Sequence, residues 1–290
     1  MNLKRFLKLT AFILAPLVGL WFYIGYYSAC TLTATRHVTF DDIQKFDKHS
    51  VTPLNLTARD GIAISAWLVD QPSDKAIILL SGIKGNRLAQ EKRTKFYLKK
   101  GFTVLLPDLR GTGKSGGDCI SFGWNEQYDL IACVEELQHR GIQHVAADGL
   151  SLGAATILYA HSQLTNFDFV VIESSYDNIE NAFQNRMRQY PIPSFAYYPL
   201  RLFTSLKIHT DLKNLSPDQW IKNVRCPTLI LAGDSEAQIK VSETQKLYEN
   251  CGSSKKYLHL FKGGHHEDFI DRFEAEYTKE ISRFLTENGR

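Results

Sequence analysis

Short apolar runs alternate with amphipathic stretches along most of the chain. Such runs stand at 76–80, 104–106, 145–147, 169–172, 228–231 and 257–260. Uninterrupted apolar character over so few positions predicts strands buried on both faces. Helical spacing fills the intervals: over 126–140, Leu130, Ile131, Val134 and Leu137 share one face, and Gly141 follows as a C-cap. A hairpin with Asp60-Gly61 at its turn is predicted over 51–69. Such alternation implies right-handed βαβ units, hence an α/β fold with a mostly parallel central sheet and helices on both faces. One interval departs from the pattern. Between Ile172 and Thr228 no strand is legible, while Tyr190-Pro191-Ile192-Pro193, Tyr197-Tyr198-Pro199 and further aromatics accumulate. A small helical insertion over about 174–225, set over one edge of the sheet, is the expectation.

The N-terminus follows a different rule. From Leu9 to Thr35 there is no charged residue, and the stretch is long enough for a membrane-spanning helix. Lys4, Arg5 and Lys8 precede it, whereas Arg36, Asp41 and Asp42 follow. The positive-inside rule therefore puts the N-terminus in the cytoplasm and the body on the extracytoplasmic, periplasmic side, with Trp21, Tyr23, Tyr26 and Tyr27 as an interfacial belt. Two other readings stay open: a signal segment cleaved near Ser28-Ala29, and a weak lipoprotein box ending in Cys30. Residues 1–35 are thus expected to be an anchor or signal segment, and 36–290 one catalytic-sized domain.

Composition narrows the function classes. The 290 residues are 44% hydrophobic and 22% charged, values of an ordinary globular chain. A net charge of +3 with dispersed basic residues lacks the footprint of a nucleic-acid binder, so no nucleic acid is expected as partner. Five cysteines without a CxxC pair support neither a disulfide scaffold nor a zinc ribbon.

The sharpest chemical signal is Gly149-Leu150-Ser151-Leu152-Gly153, which closes a short apolar strand and opens a small-residue helical run. A turn that tight needs glycines around it, and it would hold the Ser151 hydroxyl at a helix N-terminus, where main-chain N–H groups stabilise negative charge. Ser151 is the candidate nucleophile. Gly113-Lys114-Ser115 imitates the end of a phosphate loop, but Asp108 stands where that loop would begin with glycine, and a carboxylate there repels phosphate.

With these motifs the chain resembles the α/β-hydrolase superfamily, close to the bacterial single-domain serine hydrolases and a related eukaryotic depalmitoylase-like branch. The likeness spans about 50–287 and rests on the Ser151 elbow, residues 81–86 (SGIKGN), 108–117 (DLRGTGKSGG), 226–233 (CPTLILAG) and the late His265-His266. It implies the α/β-hydrolase fold and a triad in the order Ser, acid, His. The family's acid position falls on Glu236, with Asp234 as rival and Glu173 as a more distant one; its base position falls on His266, or on His265 if the Gly263-Gly264 prefix sets the frame. A metal reading of the His-His-Glu-Asp run is weaker, because adjacent residues converge poorly on one ion. The oxyanion donors implied are the main-chain N–H groups of Ile83 and Leu152, although Ser81 replaces the family's usual histidine. Arg110 and Asp108 are left for a structural ion pair.

What the resemblance implies is a hydrolase of carboxylic esters, thioesters or small amides that works through an acyl-enzyme, without metal or organic cofactor, on a small-molecule or lipid-like acyl substrate. The other reading is a non-catalytic binding protein on the same fold.

Overall fold

Apolar strands and helix faces of the predicted kind can bury themselves only by layering, and they do so around one nine-stranded sheet. The computed structural model describes residues 3–164, 166–190 and 192–289. Pro191 lies outside the described residues, as do the side chains of Lys4, Arg5 and Lys8. The long strands are β1 (His49–Thr57), β2 (Ala63–Val69), β3 (Lys75–Leu80), β4 (Thr103–Pro107), β5 (His144–Leu150), β6 (Phe167–Glu173), β7 (Thr228–Gly233) and β8 (Lys256–Phe261). Their spatial order is β8-β7-β6-β5-β3-β4-β2-β1, and the two-residue strand Lys45–Phe46 extends the β1 edge. Strands β3 to β8 run parallel, while β1 and β2 form the antiparallel hairpin, pairing Val51 with Val69 and Thr57 with Ala63.

Side-chain alternation splits the core into two layers. Ile78 and Leu80 of β3 face α3 (Gln127–His139) and α4 (Leu152–Ala160), where Leu130, Ile131 and Ile157 are fully buried. Ile77 and Leu79 face the other way, onto Phe96 and Tyr97 of α2 (Glu91–Lys99) and Tyr277, Ile281 and Phe284 of a C-terminal helix, Glu274–Glu287.

The segment between β6 and β7 is helical, carrying α5 (Ile179–Met187), α6 (Tyr197–Ile208) and the short helix Pro217–Trp220. It does not sit on a sheet edge. Because β6 and β7 are neighbours, the connection leaves and returns within the sheet, and its Tyr176, Phe183 and Leu200 bury themselves with Phe122, Tyr159 and Ile239 over the carboxyl ends of the strands. A second expectation also fails. Asp108 pairs with Arg87, both fully buried, whereas Arg110 pairs with Asp60 and Asp129. Asp108 also accepts the main-chain N–H groups of Arg87 and Lys114, so its carboxylate is consumed by the loop that follows β4.

At the N-terminus a single helix, α1, runs unbroken over Leu3–Leu32. Residues Phe12–Leu32 are long and apolar enough to cross a membrane by length and composition. One stripe of α1 lies against α6. Gly25 permits the approach, because a Cβ there would stand 2.5 Å from the Pro199 Cβ. Trp21 meets Phe195, Tyr26 meets Phe203, and Ala29 is fully buried, while Tyr23 and Tyr27 stack on each other at the surface. Replacing Gly25 by Leu should wedge the two helices apart and destabilise the chain by roughly 1–3 kcal/mol, as overpacking does. Thermal unfolding in detergent micelles checks this against Gly19→Leu, at a position where an added Cβ meets nothing within 4 Å, which should leave the midpoint unmoved.

Candidate active site

Strand β5 ends at Leu150 and α4 begins at Leu152, so Ser151 makes the turn alone. It does so with φ 53° and ψ −106°, a strained conformation for a residue with a side chain. Two close approaches hold it there. A Cβ on Gly149 would stand 2.5 Å from the Gly153 carbonyl carbon, and one on Gly153 would stand 2.6 Å from the Leu80 oxygen. The Ser151 N–H donates to the Glu173 oxygen at 2.7 Å, pinning the turn to β6. The hydroxyl therefore projects from the carboxyl end of the sheet, beside the point where β3 is flanked by β5 and β4.

Two further loops reach this hydroxyl. Beyond β7, Glu236 turns back with its carboxylate fully buried. Its Oε1 accepts the Ser174 hydroxyl at 2.6 Å and the Gly233 N–H at 2.9 Å, which leaves Oε2 for His266 Nδ1 at 2.8 Å. His266, in the loop after β8, places Nε2 3.0 Å from Ser151 Oγ. The structure thus brings Ser151, His266 and Glu236 into one line. It separates the rivals from that line: His265 is exposed, with Nδ1 on the Ser235 oxygen at 2.9 Å. Asp234 is exposed and accepts the Gly263 N–H at 2.7 Å, joining the two loops at their bases, and that bond together with Ser235 holds its carboxyl below the usual carboxylate range. Glu173 is buried under the site and bound to Arg93.

A cavity of about 240 Å3 opens over Ser151. Ile83 and Leu152 both line it, Leu152 as the first residue of α4 and Ile83 from the loop after β3. That loop turns sharply, with Lys84 at φ 60° and the Gly85 N–H on the Gly82 oxygen. Ser81, where a histidine was expected, is buried, and its hydroxyl has no hydrogen-bond partner among the described residues. A larger cavity of about 490 Å3 lies between α5 and α6 and contains none of the three aligned side chains.

Four residues escaped the sequence reading. Ser174 holds Glu236 from a position, just past β6, that carries no motif. Thr31 and Leu32, the last turn of α1, line the cavity of Ser151, and the Thr31 oxygen accepts Lys84 Nζ at 3.1 Å. Arg93, fully buried on α2, donates to Asp148 at 3.1 Å, Glu173 at 2.5 Å and Asp268 at 3.0 Å. Burial pushes the Asp148 and Glu173 carboxyls upward against the pull of Arg93. Arg93→Met keeps the length but strands buried carboxylates, and should cost about 3–5 kcal/mol of unfolding free energy in urea denaturation; Arg93→Lys, which retains the charge, should cost less.

Comparison with known proteins agrees with this architecture. Residues 75–213 match the family described as alpha/beta hydrolase fold. The chain is 28% identical over 264 residues to the uncharacterized protein YqkD of Bacillus subtilis, covering 87% of this chain and 84% of that one. It is 26% identical over 270 residues to the uncharacterized membrane protein YNL320W of Saccharomyces cerevisiae, covering 91% and 88%. The esterase Pf2001 of Pyrococcus furiosus superposes with a TM-score of 0.76 at 23% identity, over 88% of this chain and 98% of the esterase. The strand order and the elbow after β5 accord with that match, and the chain has the α/β-hydrolase fold.

Proposed function

We propose that this chain is a membrane-anchored serine hydrolase that cleaves carboxylic ester, thioester or small amide bonds through an acyl-enzyme. The observation that carries the reading is the hydrogen-bonded line from Ser151 Oγ through the His266 ring to the buried Glu236, opening onto a cavity. In acylation, His266 Nε2 takes the Ser151 proton while Oγ bonds to the substrate carbonyl carbon. The main-chain N–H groups of Ile83 and Leu152 donate to the oxyanion that forms. The proton then passes from Nε2 to the leaving group as its bond to carbon breaks. Water, giving a proton to the same nitrogen, releases the acid and restores Ser151. Glu236 keeps the proton of the resting ring on Nδ1 and favours the imidazolium once formed. The name of the Pyrococcus furiosus neighbour, an esterase, supports the ester among these bonds.

Residue substitutions separate the roles. The full chain in detergent should react with a fluorophosphonate probe, and Ser151→Ala should abolish that labelling. On a short-chain ester, His266→Ala and Glu236→Gln should each lower kcat by about 10³-fold or more, whereas His265→Ala and Asp234→Asn should cost about tenfold or less. Labelling that survives Ser151→Ala, or the reverse ranking of the substitutions, would overturn the assignment.

The anchor reading rests on the apolar span of α1, and the three basic residues before it support an extracytoplasmic, periplasmic body by the positive-inside rule. The yeast relative's description as a membrane protein supports membrane residence. Protease added to intact spheroplasts should digest the body; protection of the body would place it in the cytoplasm.

A further inference from the structure

The cavity over Ser151 has a neighbour along α1. A second cavity of about 320 Å3 adjoins it, and the two share Thr31, Leu32, Phe183 and Arg186 as walls. They are ordered along α1. The cavity of Ser151 touches this helix only at Thr31 and Leu32, the end of the apolar span Phe12–Leu32, whereas the second reaches back to Tyr27 and Ser28, one turn nearer the middle of that span. Its remaining walls include Tyr190, Ile192 and Leu200 of the insertion. The two cavities therefore lie one after the other along α1, with the side chains of Thr31, Leu32, Phe183 and Arg186 between them and Ser151 in the inner one.

The chemistry of both cavities is apolar. Among the described residues no carboxylate lines either cavity, and the two cations present are each turned onto a main-chain oxygen: Lys84 on Thr31 at 3.1 Å and Arg186 on Ala182 at 3.1 Å. The insertion around the outer cavity also exposes Tyr190, Ile192, Phe195 and Tyr198, beside the helix on which α6 packs. A soluble ester would gain nothing from a pair of cavities whose outer member is set against an apolar span; a chain already dissolved in the leaflet would enter it without crossing water.

We propose that the substrate is a membrane-resident ester of a long acyl chain, which enters along α1, lies through the outer cavity into the inner one, and presents its carbonyl to Ser151. The proposal rests on the hydrolase reading above and deepens it: α1 acts as a specificity-determining wall as well as an anchor. Chain length is then measured by the distance from Ser151 to the outer cavity, and residues at Ser28 and Ile192 set how far a chain can extend.

The test uses the full chain in phosphatidylcholine nanodiscs and 4-methylumbelliferyl esters from butyryl to palmitoyl. With kcat/KM referred to the free aqueous ester, we expect a rise of about two- to fourfold per methylene until both cavities are filled. Ser28→Trp, and independently Ile192→Trp on a different element, should each lower the palmitoyl-to-butyryl ratio of kcat/KM at least tenfold, with melting followed by circular dichroism to identify a variant that has not folded. A wild-type preference for butyryl over palmitoyl, or a ratio that neither substitution moves in folded protein, overturns the acyl path while leaving the hydrolase reading intact. Failure to cleave any ester, together with absence of fluorophosphonate labelling at Ser151, removes the hydrolase reading and the path with it.

Discussion

One buried cation joins the parts of this molecule that carry its chemistry. Arg93 comes from α2, Asp148 from within β5, Glu173 from the end of β6, and Asp268 from the loop that holds His266. Removing these charges from water is expensive, and the cost is met only while all are in place. Tyr97 and Tyr277 each donate to the remaining oxygen of Asp148, and the Phe269 N–H donates to the free oxygen of Glu173, so the cluster leaves few lone pairs unused. Its geometric effect is to fix the loop after β8 against β5, which ends at the Ser151 turn, and against β6, whose Glu173 main-chain oxygen pins that turn. The position of the His266 ring is therefore set from below, by ionic contacts two residues away in sequence.

From above, the same ring is set by Glu236, and here small residues matter more than charge. A Cβ on Gly233 would stand 2.2 Å from the Gly264 oxygen, so the loops after β7 and β8 can touch only as main chain on main chain. The Ser235 N–H on the Gly264 oxygen at 3.0 Å and the Gly263 N–H on Asp234 complete that seam. Asp234, a rival for the acid on spacing alone, is occupied in building the seam.

Local signals were legible and distant ones were not. Apolar runs and turn glycines mark all six parallel strands, the hairpin, and the elbow around Ser151, because each follows from neighbours in the chain. The frame that singles out Glu236 and His266 is local as well, one loop each. Arg93 could not be found this way: its partners lie 55, 80 and 175 residues along the chain, and on α2 it reads as one more surface charge among Lys92, Lys95 and Lys99. The pairing of Arg110 failed for a related reason. Proximity in sequence suggested Asp108, whereas the fold offers Arg110 a bidentate contact with Asp60 at the hairpin turn and one oxygen of Asp129, in the first turn of α3, that accepts from two of its nitrogens. The insertion was recognisable by its lack of strands, but its place over the strand ends depends on which strands it connects, and that is a property of sheet order.

The N-terminal helix is subject to two different tolerances along its length. Around Phe12, Leu14 and Leu17 the side chains are exposed on an apolar span, so that interchange among apolar residues changes little. From Gly25 onward the positions must fit Pro199, fill the buried site of Ala29 and border a cavity that contains Ser151. Among related chains, sequence drift should then be fast over the first half of the helix and slow over its last two turns, a gradient opposite to that of a dispensable leader, whose constraint ends where the mature domain begins.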